Sequence, residues 1–414
     1  MNIALNLIGM NPREGGMYQY AVTFARHLLT SDRTNHYVLF YDDESILREG
    51  FNLERTTPVA VDTPMHLGFR FFGRKLWTPQ PQSAQRVLRV LRRKAPVLTR
   101  YIRGDYSVFA QHKARMLIQP SHVTPDAVLS GLPYLIAIHD SPFQWNEEHR
   151  RTRTAGFLAW YESLIRELAR NATVVLVDSR NGADAMVKGY GVPEHRIRIL
   201  PFRPPDYISE QTEPTALERV RARFDLQEPF FFYPSKFHAH KNHLGVLEAL
   251  TLLSRCYGIR PNVVFAGSTS NDDTFARVMS SVQERGMSDQ VKYIGYVADE
   301  EMGALYTLAL ALVFPSFMGP TAIPILEAFA VGCPVICANV EGYPEQVGQA
   351  GILVDPTSPD ALAEAMLAVY RDQRLRDELR EKGKARFRTL TAGNYGREIL
   401  ATVQTLVKAI ERTC

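Results

Sequence analysis

The sequence predicts an α/β fold of two doubly wound domains facing a central cleft. Three observations predict it. Short runs rich in β-branched and aromatic residues alternate with helical patterns almost throughout. Those runs are apolar on both faces, as in parallel sheets covered on both sides. The chain has 414 residues, too many for one ordinary domain and comfortable for two.

Strands are expected at residues 2–7, 36–40, 134–138, 173–177 and 196–200. They continue at 230–233, 262–266, 291–294, 310–314, 335–338 and 351–354. Helical patterns fill 18–29, 155–170, 244–254, 272–285 and 359–371. The chain changes character over 201–215, PFRPPDYISEQTEPT, where three of the first five residues are Pro and the rest are mostly polar. This places a linker at 204–215, between a domain over 1–203 and a domain over 216–393, with a terminal helical segment over 394–414. In such sheets ligands bind at the carboxyl ends of the strands, where the strand order reverses.

Hydrophobic residues make up 45% of the chain and charged ones 22%, which suits packed cores. The formal charge of +4 is mild, and no RRM, KH or zinc-finger pattern occurs, so nucleic acid is not an expected partner. Cys256, Cys333, Cys337 and Cys414 fit no standard zinc or redox spacing and read as reduced thiols. The opening MNIALNLIGMNP lacks a basic region and a cleavage site, and reads as a buried strand rather than a signal peptide. No apolar run reaches the length of a membrane span. The expectation is a cytoplasmic protein, or one held at the inner face of the cytoplasmic membrane. The stretch between Leu67 and Arg115 bears on that choice. It mixes aromatics with bases (LGFRFFGRKLW), then runs rich in Arg and Lys with one acid, Asp105. Such a stretch can lie on an anionic membrane surface. It can equally be a solvated helix with its apolar side on the core.

Several places carry chemistry. Gly15-Gly16, between the first strand and the first helix, lets backbone N–H groups approach a phosphate or oxyanion. Turns also use such glycines for conformation alone. His139-Asp140 ends a buried strand at the edge where sites form, although a lone His there is often structural. Lys236 and Lys241 follow the strand at 230–233 and lead into a helix. Two cations there can clamp a diphosphate and neutralise charge developing on a leaving nucleoside diphosphate; otherwise they are solvated loop lysines. Gly319, Pro320, Thr321 and Ala322 precede a helix starting at Ile323, whose first N–H groups are available to a phosphate or to sugar hydroxyls. Glu327 lies within that helix. Its context, IPILEAFAVG, is apolar, so the carboxylate needs partners, and ribose hydroxyls would serve.

The stretch PSFMGPTAIPILEAFAVGCPVI resembles the signature of the retaining glycosyltransferases of GT-B fold, family 4, also called glycosyl transferases group 1. GGMYQYA, IHD, VDSRNGADAMVKGYGVPEHRIRILP, SKFHAHKN, FAGS, YIGYVADEEMGALYTLALALVFPS and GYPEQVGQAGILVDPTSPDALAEAM agree in order and spacing. The resemblance is close over the second half, looser over the first, and nearly absent over 40–115. It implies two Rossmann-like domains, acceptor-binding over 1–203 and donor-binding over 216–393, with the terminal helix crossing back to the first. It implies that Gly16, beside Gly15, approaches the donor diphosphate and reaction centre, and that His139 contacts the donor sugar. Lys236 and Lys241 would hold the diphosphate, Glu327 the ribose, and the backbone of Gly295, Tyr296 and Val297 the base. Gly319 stands where the family usually has a Glu that contacts donor-sugar hydroxyls. Pro320 and Thr321 replace a Gly and an aromatic, and Lys236 replaces an Arg, exchanging a bidentate fork for a point charge. No Asp-x-Asp occurs, in keeping with an enzyme that needs no metal or other cofactor and uses lysines and helix N-termini instead.

The expected function is retaining transfer of a hexose or deoxyhexose, of mannose or rhamnose type, from a nucleotide-diphosphate sugar. The acceptor would be a glycan or lipid-linked oligosaccharide in polysaccharide or O-antigen biosynthesis. Two alternatives stand beside it: a non-catalytic nucleotide-sugar-binding subunit, suggested by the missing Glu at 319, and a nucleotide-sugar epimerase on the same fold.

Overall fold

The computed structural model describes residues 1–10, 15–61, 107–122, 124–205, 207–208, 212–269 and 273–411. The expected membrane-surface stretch lies outside these residues from Leu67 to residue 106. The described chain forms two compact units. One comprises Met1–Gln144, Arg153–Pro201 and Asn394–Cys414; the other comprises Trp145–Thr152 and Phe202–Gly393.

In the first unit, the described strands are β1 (Asn2–Asn6), β2 (His36–Tyr41), β3 (Thr56–Ala60), β4 (Met116–Gln119), β5 (Tyr134–Ala137), β6 (Val174–Val177) and β7 (Ile197–Ile199). They pair in parallel in the order β3-β2-β1-β4-β5-β6-β7. Ala4 at the centre pairs with Val38 on one side and Leu117 on the other. Two strands were not expected. β3 reads TTPVA, and its Pro58 is tolerated because the strand lies at the sheet edge. β4 is only four residues, MLIQ, directly after the basic stretch, and is buried throughout. The helix Gly16–Ser31 buries Tyr20, Phe24 and Leu28 at four-residue spacing. The helix Tyr395–Glu411 packs along it, burying Ile399, Val403, Leu406 and Ile410. The two helices approach closely at Gly396, where a Cβ would lie 1.9 Å from Ser31 Oγ.

In the second unit, the strands are β8 (Phe230–Pro234), β9 (Asn262–Ala266), β10 (Val291–Tyr293), β11 (Ala311–Phe314), β12 (Val335–Ala338) and β13 (Ile352–Val354). Their order is β10-β9-β8-β11-β12-β13, again parallel. Phe230, Phe231, Phe232 and Tyr233 are fully buried, so β8 is covered on both faces. Each such ring contributes roughly 1.5–3 kcal/mol by leaving water. The order runs backwards from β8 to β10 and forwards from β11 to β13. The reversal between β8 and β11 is the switch point where open α/β sheets bind ligands. Among the described residues no helix is long and apolar enough to cross a membrane.

Candidate functional site

Two turns meet at that switch point. After β8 the chain passes Ser235 and Lys236 and enters the turn Ala239–Lys241, then the helix His243–Tyr257. Asn242 begins that helix in the left-handed region, φ 58°, which Asn tolerates better than most residues. Its Oδ1 accepts from Gly245 N at 3.2 Å, an N-cap bond. Its Nδ2 donates to the Pro315 and Pro356 carbonyls at 3.2 and 2.9 Å. The His240 carbonyl accepts from Phe317 N at 2.8 Å and from Ser316 Oγ at 3.3 Å. The lysine-bearing turn is thus fastened to the loop that follows β11. Lys241 Nζ lies 5.3 Å from the Phe314 ring centroid, at the last residue of β11. The short helix Glu147–Arg151 adds to the same unit: Asn146 Nδ2 donates to the Phe317 carbonyl at 2.7 Å, and the His149 and His240 rings are 5.0 Å apart.

The loop after β11 carries Gly319, Pro320, Thr321 and Ala322 into the helix Ile323–Val331. Ala322 has no side-chain cap to give that helix. Gln346 steadies its start instead: Ala322 N donates to Gln346 Oε1 at 2.9 Å, and Gln346 Nε2 donates to the Ala322 carbonyl at 2.8 Å. The helix ends at Gly332, φ 80°, where a side chain would also meet Lys384 and Arg380. Pro334 two residues later prevents continuation and starts the approach to β12.

Glu327 is buried within this helix, as its apolar neighbours demanded. Tyr207 Oη donates to Oε1 at 2.5 Å and Tyr306 Oη donates to Oε2 at 2.6 Å. Burial raises its pKa; the two tyrosine hydroxyls pull the other way, and nearby Asp299 adds to the rise. Gly295, Tyr296 and Val297 follow β10, two strands from β8. Gly295 has φ 79°, Tyr296 is exposed and Val297 is buried. Between them, Gly267 at the end of β9 sits at φ 130°, and a Cβ there would be 2.6 Å from the Ser235 carbonyl oxygen. That close approach holds the ends of β8 and β9 together, next to Lys236.

In the first unit, Gly15 has φ 65° and ψ −129°, a conformation only glycine adopts with ease, and Gly16 opens the helix. His139 follows β5. It is buried, with the Tyr20 ring edge-on at 4.1 Å. Burial, with His122 beside it, lowers its pKa to about 3 against the opposing pull of the Pro120 backbone and Asp140, so its imidazole is neutral near pH 7. His122 was not singled out from sequence. Its Nδ1 accepts the His139 backbone N–H at 3.3 Å, which leaves the proton on Nε2 to donate to Asp140 Oδ1 at 3.1 Å. Tyr161 Oη donates to the same Asp140 oxygen at 2.5 Å. These partners fix the His139-Asp140 turn. They come from the loop after β4 and from the helix Ala155–Asn171, and no local pattern links them. Among the described residues no group of three or more His, Cys, Asp or Glu is placed to hold a metal ion.

Residues 215–386 match the family model described as glycosyl transferases group 1. Over that segment, about two fifths of the chain, the protein is similar to this family. The matched segment contains Lys236, Lys241, the Gly319–Ile323 turn and Glu327, while Gly15, Gly16 and His139 lie outside it. O-antigen chain mannosyltransferase B of Escherichia coli is 30% identical over 251 residues, covering 60% of this chain and 64% of that protein. Alpha-D-kanosaminyltransferase of Streptomyces kanamyceticus is 25% identical over 258 residues, covering 61% and 64%. The chain therefore spans less than two-thirds of the length of either relative. Among solved structures, Anabaena HepE in complex with UDP-glucose superposes with a TM-score of 0.68 at 14% identity, over 100% of both chains. That likeness is one of fold. The two parallel, helix-flanked sheets are the Rossmann-like domains of a GT-B protein, as the sequence predicts.

Proposed function

We propose that this chain is a retaining glycosyltransferase. It transfers a hexose or deoxyhexose, of mannose or rhamnose type, from a nucleotide-diphosphate sugar to a glycan or lipid-linked acceptor in polysaccharide or O-antigen biosynthesis. The observation that carries this reading is the switch point between β8 and β11, where the turn bearing Lys241 is fastened to the loop that leads into the helix Ile323–Val331. A cation on one side of a switch point and helix N–H groups on the other suit a diphosphate. The mannosyltransferase among the relatives supports the sugar class.

In the reaction the bond between the anomeric carbon and the diphosphate oxygen breaks, and the electron pair leaves with the nucleoside diphosphate. The acceptor oxygen bonds to the same carbon on the same face, and its proton passes to the leaving diphosphate. Lys241 and Lys236 neutralise the charge that develops there. The Gly319–Ile323 turn offers backbone N–H groups to the donor, and Gly295, Tyr296 and Val297 line the base. Glu327 is assigned the ribose; because tyrosines engage both its oxygens, the half-buried Tyr207 hydroxyl gives way or joins the contact. In the first unit, Gly15 and Gly16 offer backbone N–H groups, and neutral His139 offers a hydrogen bond to a sugar hydroxyl rather than a charge. No metal or other cofactor is required by these steps. We place the protein in the cytoplasm, either free or at the inner membrane face; in the second case the stretch between Leu67 and Arg115 is the contact.

A thermal-shift panel with UDP, GDP, ADP and dTDP tests the donor. A nucleotide at about a hundred times its dissociation constant stabilises the fold by roughly 2.7 kcal/mol. GDP is expected to shift the melt for a mannose donor and dTDP for a rhamnose donor, and Lys241→Ala is expected to abolish the shift. No shift with any of the four overturns the reading. Binding without transfer favours the non-catalytic subunit, and sugar isomerisation without an acceptor favours the epimerase.

A further inference from the structure

Glu341 has no role in the account above. It follows β12, the strand beside β11, on the turn leading to the short helix Tyr343–Val347. Three successive residues of that turn are fitted against the loop at 318–320. Glu341 has φ 36°, a conformation that costs a residue with a side chain and suits glycine. Gly342 lies so near Pro320 that a Cβ would be 1.7 Å from the Pro320 carbonyl oxygen. Tyr343 is buried and occupies the space a side chain at 319 would need: a Cβ there would be 1.9 Å from Tyr343 Oη, which donates to the Met318 carbonyl at 3.2 Å. Out of this lock the half-buried Glu341 carboxylate reaches the loop, and its Oε2 accepts the Gly319 N–H at 3.1 Å.

The loop whose own residue 319 carries no side chain is thereby given a carboxylate from the neighbouring strand. Along the carboxyl edge of the sheet, a cation stands at the end of β8 and an anion at the end of β12, with the Gly319–Ile323 turn between. A carboxylate repels phosphate and accepts from hydroxyls, and it has acceptor sites enough for a backbone N–H and a diol together. A ligand spanning this edge should carry its phosphates toward Lys241 and its hydroxyls toward Glu341.

We propose that Glu341 is a donor-sugar-binding, specificity-determining residue that accepts hydrogen bonds from hydroxyls of the transferred sugar, in the place left without a carboxylate at Gly319. This rests on the nucleotide-sugar reading above. Glycine would adopt the Glu341 backbone without strain, so the side chain is what the position retains.

The test compares wild-type protein with Glu341→Gln by titration calorimetry, using GDP against GDP-mannose and dTDP against dTDP-rhamnose. Glutamine keeps an acceptor for the Gly319 N–H, so the loop stays pinned while the charge is removed. The variant is expected to bind the nucleoside diphosphate as wild type does. It should bind the nucleotide sugar about tenfold or more weakly, the scale of one lost charge-assisted hydrogen bond. Gly319→Ala serves as the structural control, because it disturbs the loop and should weaken both ligands alike. If Glu341→Gln weakens both ligands equally, or neither, the inference is overturned and the nucleotide-sugar reading stands. If wild-type protein binds neither nucleotide sugar, both fall together.

Discussion

His139 and His243 show what burial does to single side chains. His139 lies edge-on to Tyr20; His243 is stacked between Phe237, at 4.2 Å, and Tyr233, at 4.7 Å. Burial lowers both to about 3 from the ordinary 6.5. The unfolded chain therefore takes up protons near pH 6.5 that the folded chain refuses until about pH 3, and stability present above pH 6.5 is lost as the pH falls through that window. From pH 7 to pH 5 the loss is roughly 2 kcal/mol per histidine. Urea unfolding across that range measures it, and His243→Phe, which keeps the stack, is expected to halve the acid loss. A flat stability profile would contradict the burial of both rings. Glu327→Gln is the second test at this scale. Glutamine offers one acceptor where two tyrosines need one each, so a buried hydroxyl loses its partner at a cost of about 1–3 kcal/mol. The donor KM should rise as well, read from initial rates. The need of Glu327 for partners was legible, because a carboxylate in IPILEAFAVG cannot stand alone. Its partners were not, since Tyr207 is 120 residues away and Tyr306 is 21. Glu341 was passed over too, although a charged residue just before Gly-Tyr-Pro at a strand end was a usable signal.

At the level of elements, the decisive device is the fastening of the β8 turn to the β11 loop. Asn242 caps one helix, holds two carbonyls of other segments, and adopts a left-handed backbone. Asn242→Ala removes the cap and both ties and adds backbone strain. It should cost about 2 kcal/mol in urea unfolding, and Lys241 and the Gly319–Ile323 turn should lose register, seen as a weaker nucleoside-diphosphate thermal shift. Asn242→Asp keeps the cap but cannot donate to Pro315 or Pro356, so it should recover part of the stability and little of the binding. The long, doubly apolar strands around this site were legible, because FFFYP, NVVFA and ALVF admit few other readings. β3 and β4 were not, for Pro58 argues against a strand in general and MLIQ is too short to show a period. What makes β4 a strand is its place between β1 and β5, and that is tertiary.

On the scale of the whole molecule, the helix Tyr395–Glu411 belongs to the first unit although the second unit precedes it in the chain. Its fit to the helix Gly16–Ser31 depends on Gly396. Gly396→Ala brings a Cβ against Ser31 Oγ and should cost about 1–3 kcal/mol, while Ser31→Gly in the same chain should relieve much of it. Urea unfolding of the two single variants and the double variant gives the coupling, and simple additivity would mean that the helices do not meet there. The two-domain reading was visible in the proline-rich change at 201–215. The detour of Trp145–Thr152 into the second unit was not, because it rests on Asn146 and His149 reaching Phe317 and His240, residues far along the chain. The order of segments also bears on synthesis. Domains on the ribosome ordinarily fold from the N-terminus as they emerge. Here residues 202–393 leave the exit tunnel before the helix whose Tyr395 and Gly396 meet His27 and Ser31, so the half made first is finished last. Until then the terminal helix's apolar residues Ile399, Val403, Leu406 and Ile410 are missing from its core, and the unfinished unit is one for chaperones to guard.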